Sequence, residues 1–231
     1  MKSPILHVEA LESHAFTGVS FLLAPDAWLR LAGGPQTACE AFVDTILGIN
    51  AAAAGDVIWH GISLTQMSES ECFDIAGRHA CVHQRGGLIL NLRVWENLLL
   101  PLQHHQKKFD IDDVETRIIT AYSKAGIPQE EAARILQSRS DDLTQHEVIL
   151  SQLIRADLLN PLILVCQNLF DSLPARTLQA TCDLLGWIAL QNPGLALLTV
   201  GDSPATLANM DLDPWPAPQT ITWNETSWQN S

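Results

Sequence analysis

Short apolar runs alternate with longer stretches of helical periodicity along this chain. Residues 5–8, 18–23 and 28–32 read as strands, the last running into Gly33-Gly34-Pro35. From Cys39 to Leu47 the side chains Phe42, Val43, Ile46 and Leu47 share one helix face, which Gly48 ends. Strands at 56–60 and 80–83 follow, then a Gly86-Gly87 turn and an apolar helical stretch through Leu102. Residues 103–142 are the most polar part and predict two or three amphipathic helices, with breaks at 126–128 and near Ser138. A helix over 145–159 stops at Asn160-Pro161, before a buried-type strand at 162–166. A helix at 174–191, a strand at 196–200 and one strand near 219–223 complete the pattern. Strands alternating with helices predict an α/β fold with a mostly parallel sheet. The strandless block predicts an inserted helical lobe at 86–159, set in an α/β core of 1–85 and 160–231 within one domain. No internal repeat is visible.

Composition narrows the function. Apolar residues make up 47% of the 231, enough for a sizeable core. A net charge of −13 argues against a nucleic-acid partner and against electrostatic attachment to anionic lipid. The five cysteines form no Cys-x-x-Cys pair, which favours a reducing cytoplasm over zinc or a disulfide framework. The first residues carry no apolar signal-peptide region, and no apolar run approaches the ~18 residues of a membrane span. Membrane association is therefore expected only through a partner.

The strand, glycine turn and helix at 29–47 have the layout of a phosphate-binding loop, where backbone N–H groups hold phosphates at a helix N-terminus. Residues 31–49, LAGGPQTACEAFVDTILGI, align without a gap onto the Walker A segment of ABC transporter ATP-binding subunits, which the chain resembles over about 5–210. The resemblance sets Gly33 at the start of the motif and Ala38 at its second glycine. It sets Cys39 where a lysine reaches the β- and γ-phosphates, and Glu40 where a hydroxyl holds Mg²⁺. A carboxylate ~4 Å from a phosphate is repelled by ~4 kcal/mol at an effective dielectric of ~20; alternatively Glu40 caps the helix N-terminus.

Residues 79–102 resemble the family's Q-loop and the helix after it. Gln84 falls at the Q-loop glutamine, and Val94, Glu96, Asn97, Pro101 and Leu102 fit the "V-x-E-N-x-x-x-P-L" pattern. In the family this region meets the transmembrane subunit, so Gln84, Arg85, Glu96 and Asn97 are the expected partner contacts. Packing of a buried strand and helix is the competing explanation. From 143 to 174 the frame is that of the signature helix and Walker B strand, held by Arg155, Ala156 and Pro161. The signature reads Leu143-Thr144-Gln145-His146-Glu147, without either glycine. Gln167 stands at the Walker B aspartate and Asn168 at the catalytic glutamate; an amide neither balances Mg²⁺ nor acts as a general base. Gly201 stands at the switch histidine, and no aromatic residue lies between Val8 and Ala15 to stack on adenine.

The resemblance thus implies an ABC-type fold without ATP hydrolysis and with neither ATP nor Mg²⁺ as a cofactor. The expected partners are a transmembrane permease and either an intact ATPase subunit or a second copy, at the cytoplasmic face of the inner membrane. The Q-loop segment is closest in form to bacterial importers and lipid-transport ATPases. Two alternatives stay open: a subunit that still binds ATP at a composite site, and a soluble interaction protein on the same fold. His104, His105 and His146 read as solvated rather than metal-binding. Cys39 lies near a helix N-terminus, which lowers a thiol pKa, with Glu40 opposing. Trp215, Trp223 and Trp228 are expected to pack on the domain.

Overall fold

A computed structural model describes residues 3–230 except 106, 209 and 211. The elements run β1 (Leu6–Ser13), β2 (Phe16–Leu23), β3 (Trp28–Ala32), α1 (Gln36–Ile46), β4 (Ala54–Trp59), β5 (Ile62–Ser63), α2 (Glu69–Ala76) and β6 (His79–His83). They continue with α3 (Val94–His104), α4 (Ile111–Lys124), α5 (Gln129–Gln137), α6 (Gln145–Leu158), β7 (Ile163–Gln167), α7 (Ala175–Gln191), β8 (Ala196–Val200), α8 (Pro204–Ala208), β9 (Gln219–Asn224) and β10 (Ser227–Asn230).

Two sheets organise them. One is antiparallel, in the order β2-β1-β4-β5. The other has the order β10-β9-β3-β8-β7-β6, parallel from β9 to β6, with β10 antiparallel at its edge. Strand side chains alternate between faces, so β3, β6, β7 and β8 each feed two cores. In β7, Ile163 and Val165 join α1 and the antiparallel sheet, while Leu164 and Cys166 join α3 to α7. That two-sided burial is why these strands read as continuous apolar runs.

The structure departs from the sequence pattern in instructive places. None of the residues of helix α2 is fully buried, and a Ser68–Glu71 capping box starts it. The tail forms a hairpin, with Trp228 opposite Trp223, rather than a single strand. Helix α3 begins only at Val94, after a loop. Helix α1 begins at Gln36, three residues before the expected Cys39. Pro35 holds an extended N-cap conformation, φ −66° and ψ 148°. Gln36 and Ala38 lack glycine's freedom, so the chain winds directly into helix after it.

Candidate functional site

At the C-terminal ends of the parallel strands, β3, β7 and β8 bring Gly33, Ala38, Cys39, Gln167, Asn168 and Gly201 together. Gly33 follows β3 and its N–H donates to the carbonyl of Asp202, 2.9 Å away. The N–H groups of Ala38 and Cys39 point back into their own turn, donating to the Pro35 carbonyl at 2.9 and 3.1 Å. These two donors, which an open glycine loop would aim at an anion, are satisfied internally.

Cys39 is fully buried, its Sγ 3.9 Å from the carbonyls of both Gly33 and Gly34. Burial first, and then Asp202, push its thiol up to about 12. This corrects the expectation from the helix N-terminus: desolvation outweighs the dipole, and Cys39 is a neutral thiol. Glu40 is also corrected. It faces solvent, its carboxylate accepts from Gln36 Nε2 at 2.7 Å, and α1 carries no side-chain cap.

Asn168 lies at φ +47°, a conformation Asn tolerates. Gly201 lies at φ +95°, where a Cβ would sit 2.0 Å from Asn168 Oδ1 and 2.9 Å from Cys39 Sγ. Asn168 and Cys39 therefore fill the space that a side chain at 201 would need. Gln167 is buried and its Oε1 meets His83 Nδ1 at 2.7 Å. Gln152 brackets His83, accepting from its N–H and donating to its carbonyl. The result is an amide and imidazole network that carries no carboxylate.

Asp202 is fully buried. Its carboxylate accepts from the N–H groups of Leu169, Phe170 and Asp171 at 3.2, 2.7 and 2.9 Å. Burial raises it to about 6 despite these donors. Sequence reading missed Asp202, His83 and Gln152. A polar residue at the end of an apolar strand was the available signal.

The signature residues form an ordinary helix start. Thr144 caps α6 and Glu147 Oε2 accepts from the Thr144 N–H at 2.7 Å. Glu147 also pairs with Arg134. A carboxylate thus occupies the end of α6 where a glycine-rich turn would leave N–H groups open to an anion.

Of the expected partner contacts, Arg85 is exposed and Gln84 half-buried, its N–H bonded to the Gln167 carbonyl. Glu96 is exposed and accepts from the Arg93 N–H at 2.7 Å, closing the start of α3. Asn97 is corrected. It is 1% exposed and accepts from the Ile89 N–H while donating to the carbonyls of Ile89 and Arg93. It locks the loop before α3 and presents nothing to a partner.

A cavity of about 740 Å³ opens beside the Q-loop strand, lined by Gly48, Ala53, Leu64, Cys72, Ile75 and His79 among others. Its walls are mostly apolar, and Ile49 on its rim is 67% exposed. His79 stacks on Trp59 with centroids 3.7 Å apart. Burial, then His60 and Arg78, lower its imidazole to about 3, so it is neutral.

Among the described residues no group of three or more His, Cys, Asp or Glu could hold a metal ion, and no helix is long and apolar enough to cross a membrane. This architecture defines the class: an α/β P-loop NTPase fold with a helical block between β6 and β7. Within that class the fold is that of the ABC transporter ATP-binding cassette. The chain is similar to the dimeric cassette MJ0796 at a TM-score of 0.77 and 14% identity, covering 96% of each chain. It is similar to cbiO1 from Clostridium perfringens, part of the ABC transporter complex cbiONQ, at a TM-score of 0.73 and 14% identity, covering 98% of this chain and 87% of that one. It is also similar to an ATP-binding subunit of an ABC transporter, at 0.74 and 16%, covering 97% and 88%. No protein-family model and no curated protein matches the sequence.

Proposed function

We propose that this chain is a non-catalytic cassette subunit, structural or regulatory, bound to a membrane permease at the cytoplasmic face and paired with an intact ATPase subunit or a second copy. The observation that carries the reading is the glycine loop wound into α1. Buried Cys39 stands at its centre, and the Ala38 and Cys39 N–H groups are spent on Pro35. Gln167 and Asn168 support it, because neither amide can balance Mg²⁺ or take a proton from water. At the start of α6, Glu147 closes the turn with Thr144 and pairs with Arg134, in place of an open glycine-rich turn. Titration of the purified chain with Mg-ATP is expected to give no binding heat up to millimolar concentration. Saturable binding at micromolar ATP overturns the reading.

The apolar cavity beside the Q-loop strand supports a protein partner, since a helix with apolar side chains could bury its walls and Ile49. In cells that make the permease, the tagged chain is expected to sediment with membranes. Ile49→Asp, which places a charge on the rim without touching the core, is expected to reduce that recovery at least about tenfold. Equal sedimentation of both forms counts against the cavity, and no sedimentation of either counts against the permease.

A further inference from the structure

The glycine loop is covered by the C-terminal hairpin. Trp228, 2% exposed, donates its indole N–H to the Gly33 carbonyl at 3.2 Å. Its ring packs on Phe42 of α1 and Phe16 of β2, at centroid distances of 5.5 and 6.0 Å. Trp223 meets Trp228 edge to face at 4.7 Å. Both indoles close on Gly34, where φ is +102° and a Cβ would lie 3.1 Å from each ring. Only glycine lets the two rings approach the loop this closely. The hairpin is anchored from the other side as well: Thr17 of β2 donates its N–H to the Thr226 carbonyl at 3.2 Å and accepts from the Ser227 hydroxyl.

A loop built to hold phosphate aims its backbone N–H groups at the anion it binds. Here the Gly33, Ala38 and Cys39 N–H groups are turned inward, and two aromatic rings press on Gly34 from outside. We propose that the hairpin is an intramolecular clamp: Trp223 and Trp228 hold Gly33-Gly34 closed over Cys39. This deepens the reading of the chain as a non-catalytic cassette and rests on it. Opening the loop to any ligand would break the Trp228–Gly33 hydrogen bond and separate both indoles from Gly34.

The thiols provide the test. Cys39 lies beneath the loop, Cys72 is exposed, and Cys166 and Cys182 are buried elsewhere. Modification of each by N-ethylmaleimide can be followed by mass spectrometry on the full chain. In Trp223→Ala, Cys39 is expected to react about tenfold faster while Cys166 and Cys182 keep their rates, the mark of a local opening. Trp228→Phe keeps a ring but removes the N–H donor, and a smaller acceleration confined to Cys39 is expected. The clamp is overturned if Trp223→Ala leaves Cys39 unchanged, or speeds it in step with Cys166 and Cys182, which would mean general loosening. The Mg-ATP titration of the natural chain is read separately. Binding there would defeat the non-catalytic reading, whereas an unmoved Cys39 rate would defeat only the clamp.

Discussion

Asp202→Ala is expected to destabilise the fold by about 4 kcal/mol, near the top of the range for a single substitution. The carboxylate is the acceptor for three consecutive backbone N–H groups, those of Leu169, Phe170 and Asp171. Its removal leaves buried donors without partners, at ~1–3 kcal/mol each before relaxation. Asp202→Asn keeps one acceptor oxygen and is expected to lose about half as much. The same residue carries a pH signature. Its folded pKa of about 6 lies above the unfolded value of ~3.9. Its contribution is therefore fully present below pH ~4 and is lost as pH rises through about 6. The difference in stability between the natural chain and Asp202→Asn should shift by on the order of 3 kcal/mol between pH 4 and pH 7, in favour of the natural chain at the acid end. Taking the difference removes the general gain that acidification brings to a chain of charge −13. Urea unfolding of both proteins at the two pH values measures it; parallel pH profiles would contradict the assignment.

Arg117→Ala is expected to cost about 3–5 kcal/mol. Arg117 of α4 makes a two-pronged pair with Asp157 of α6, at 2.6 and 2.7 Å, and Asp157 is fully buried. Asn192, just after α7, donates to the same carboxylate at 2.8 Å, so one buried anion ties three helices together. Removing the arginine strands that charge. Replacing both partners, Arg117→Met with Asp157→Leu, is expected to recover most of the loss, because neither charge then needs a partner. The urea midpoints of the three proteins decide it. A double variant no more stable than Arg117→Ala would mean the pair matters through packing rather than through charge.

The two predictions concern residues of different legibility. Arg117 and Asp157 are charged residues on helices that the sequence pattern outlined, but nothing in the sequence links α4 to α6. Their pairing exists only because the helices are folded side by side. Asp202 follows an apolar strand, and only the turn after β7 shows what its carboxylate is for.

Local periodicity set much of the architecture. Apolar runs gave β6, β7 and β8, 3.6-residue spacing gave α4 to α7, and the resemblance of the segments around Gly33, Gln84, Gln167 and Gly201 to ABC-type subunits implied the cassette-like frame. These signals are legible because each strand or helix must bury its own face wherever its neighbours come from. The identities of Cys39, Gln167 and Asn168 could be read directly, since the chemistry of a side chain does not depend on the fold. Tertiary structure decided what those side chains do. It buried the Cys39 thiol against the expected helix dipole, turned Glu40 to solvent, and made Asn97 a loop lock instead of a docking contact. It also brought Trp223 and Trp228 onto a loop almost two hundred residues away in sequence. Burial and long-range contact are properties of the assembled chain, because the dielectric around a group and the atoms beside it come from elements that sequence spacing does not connect.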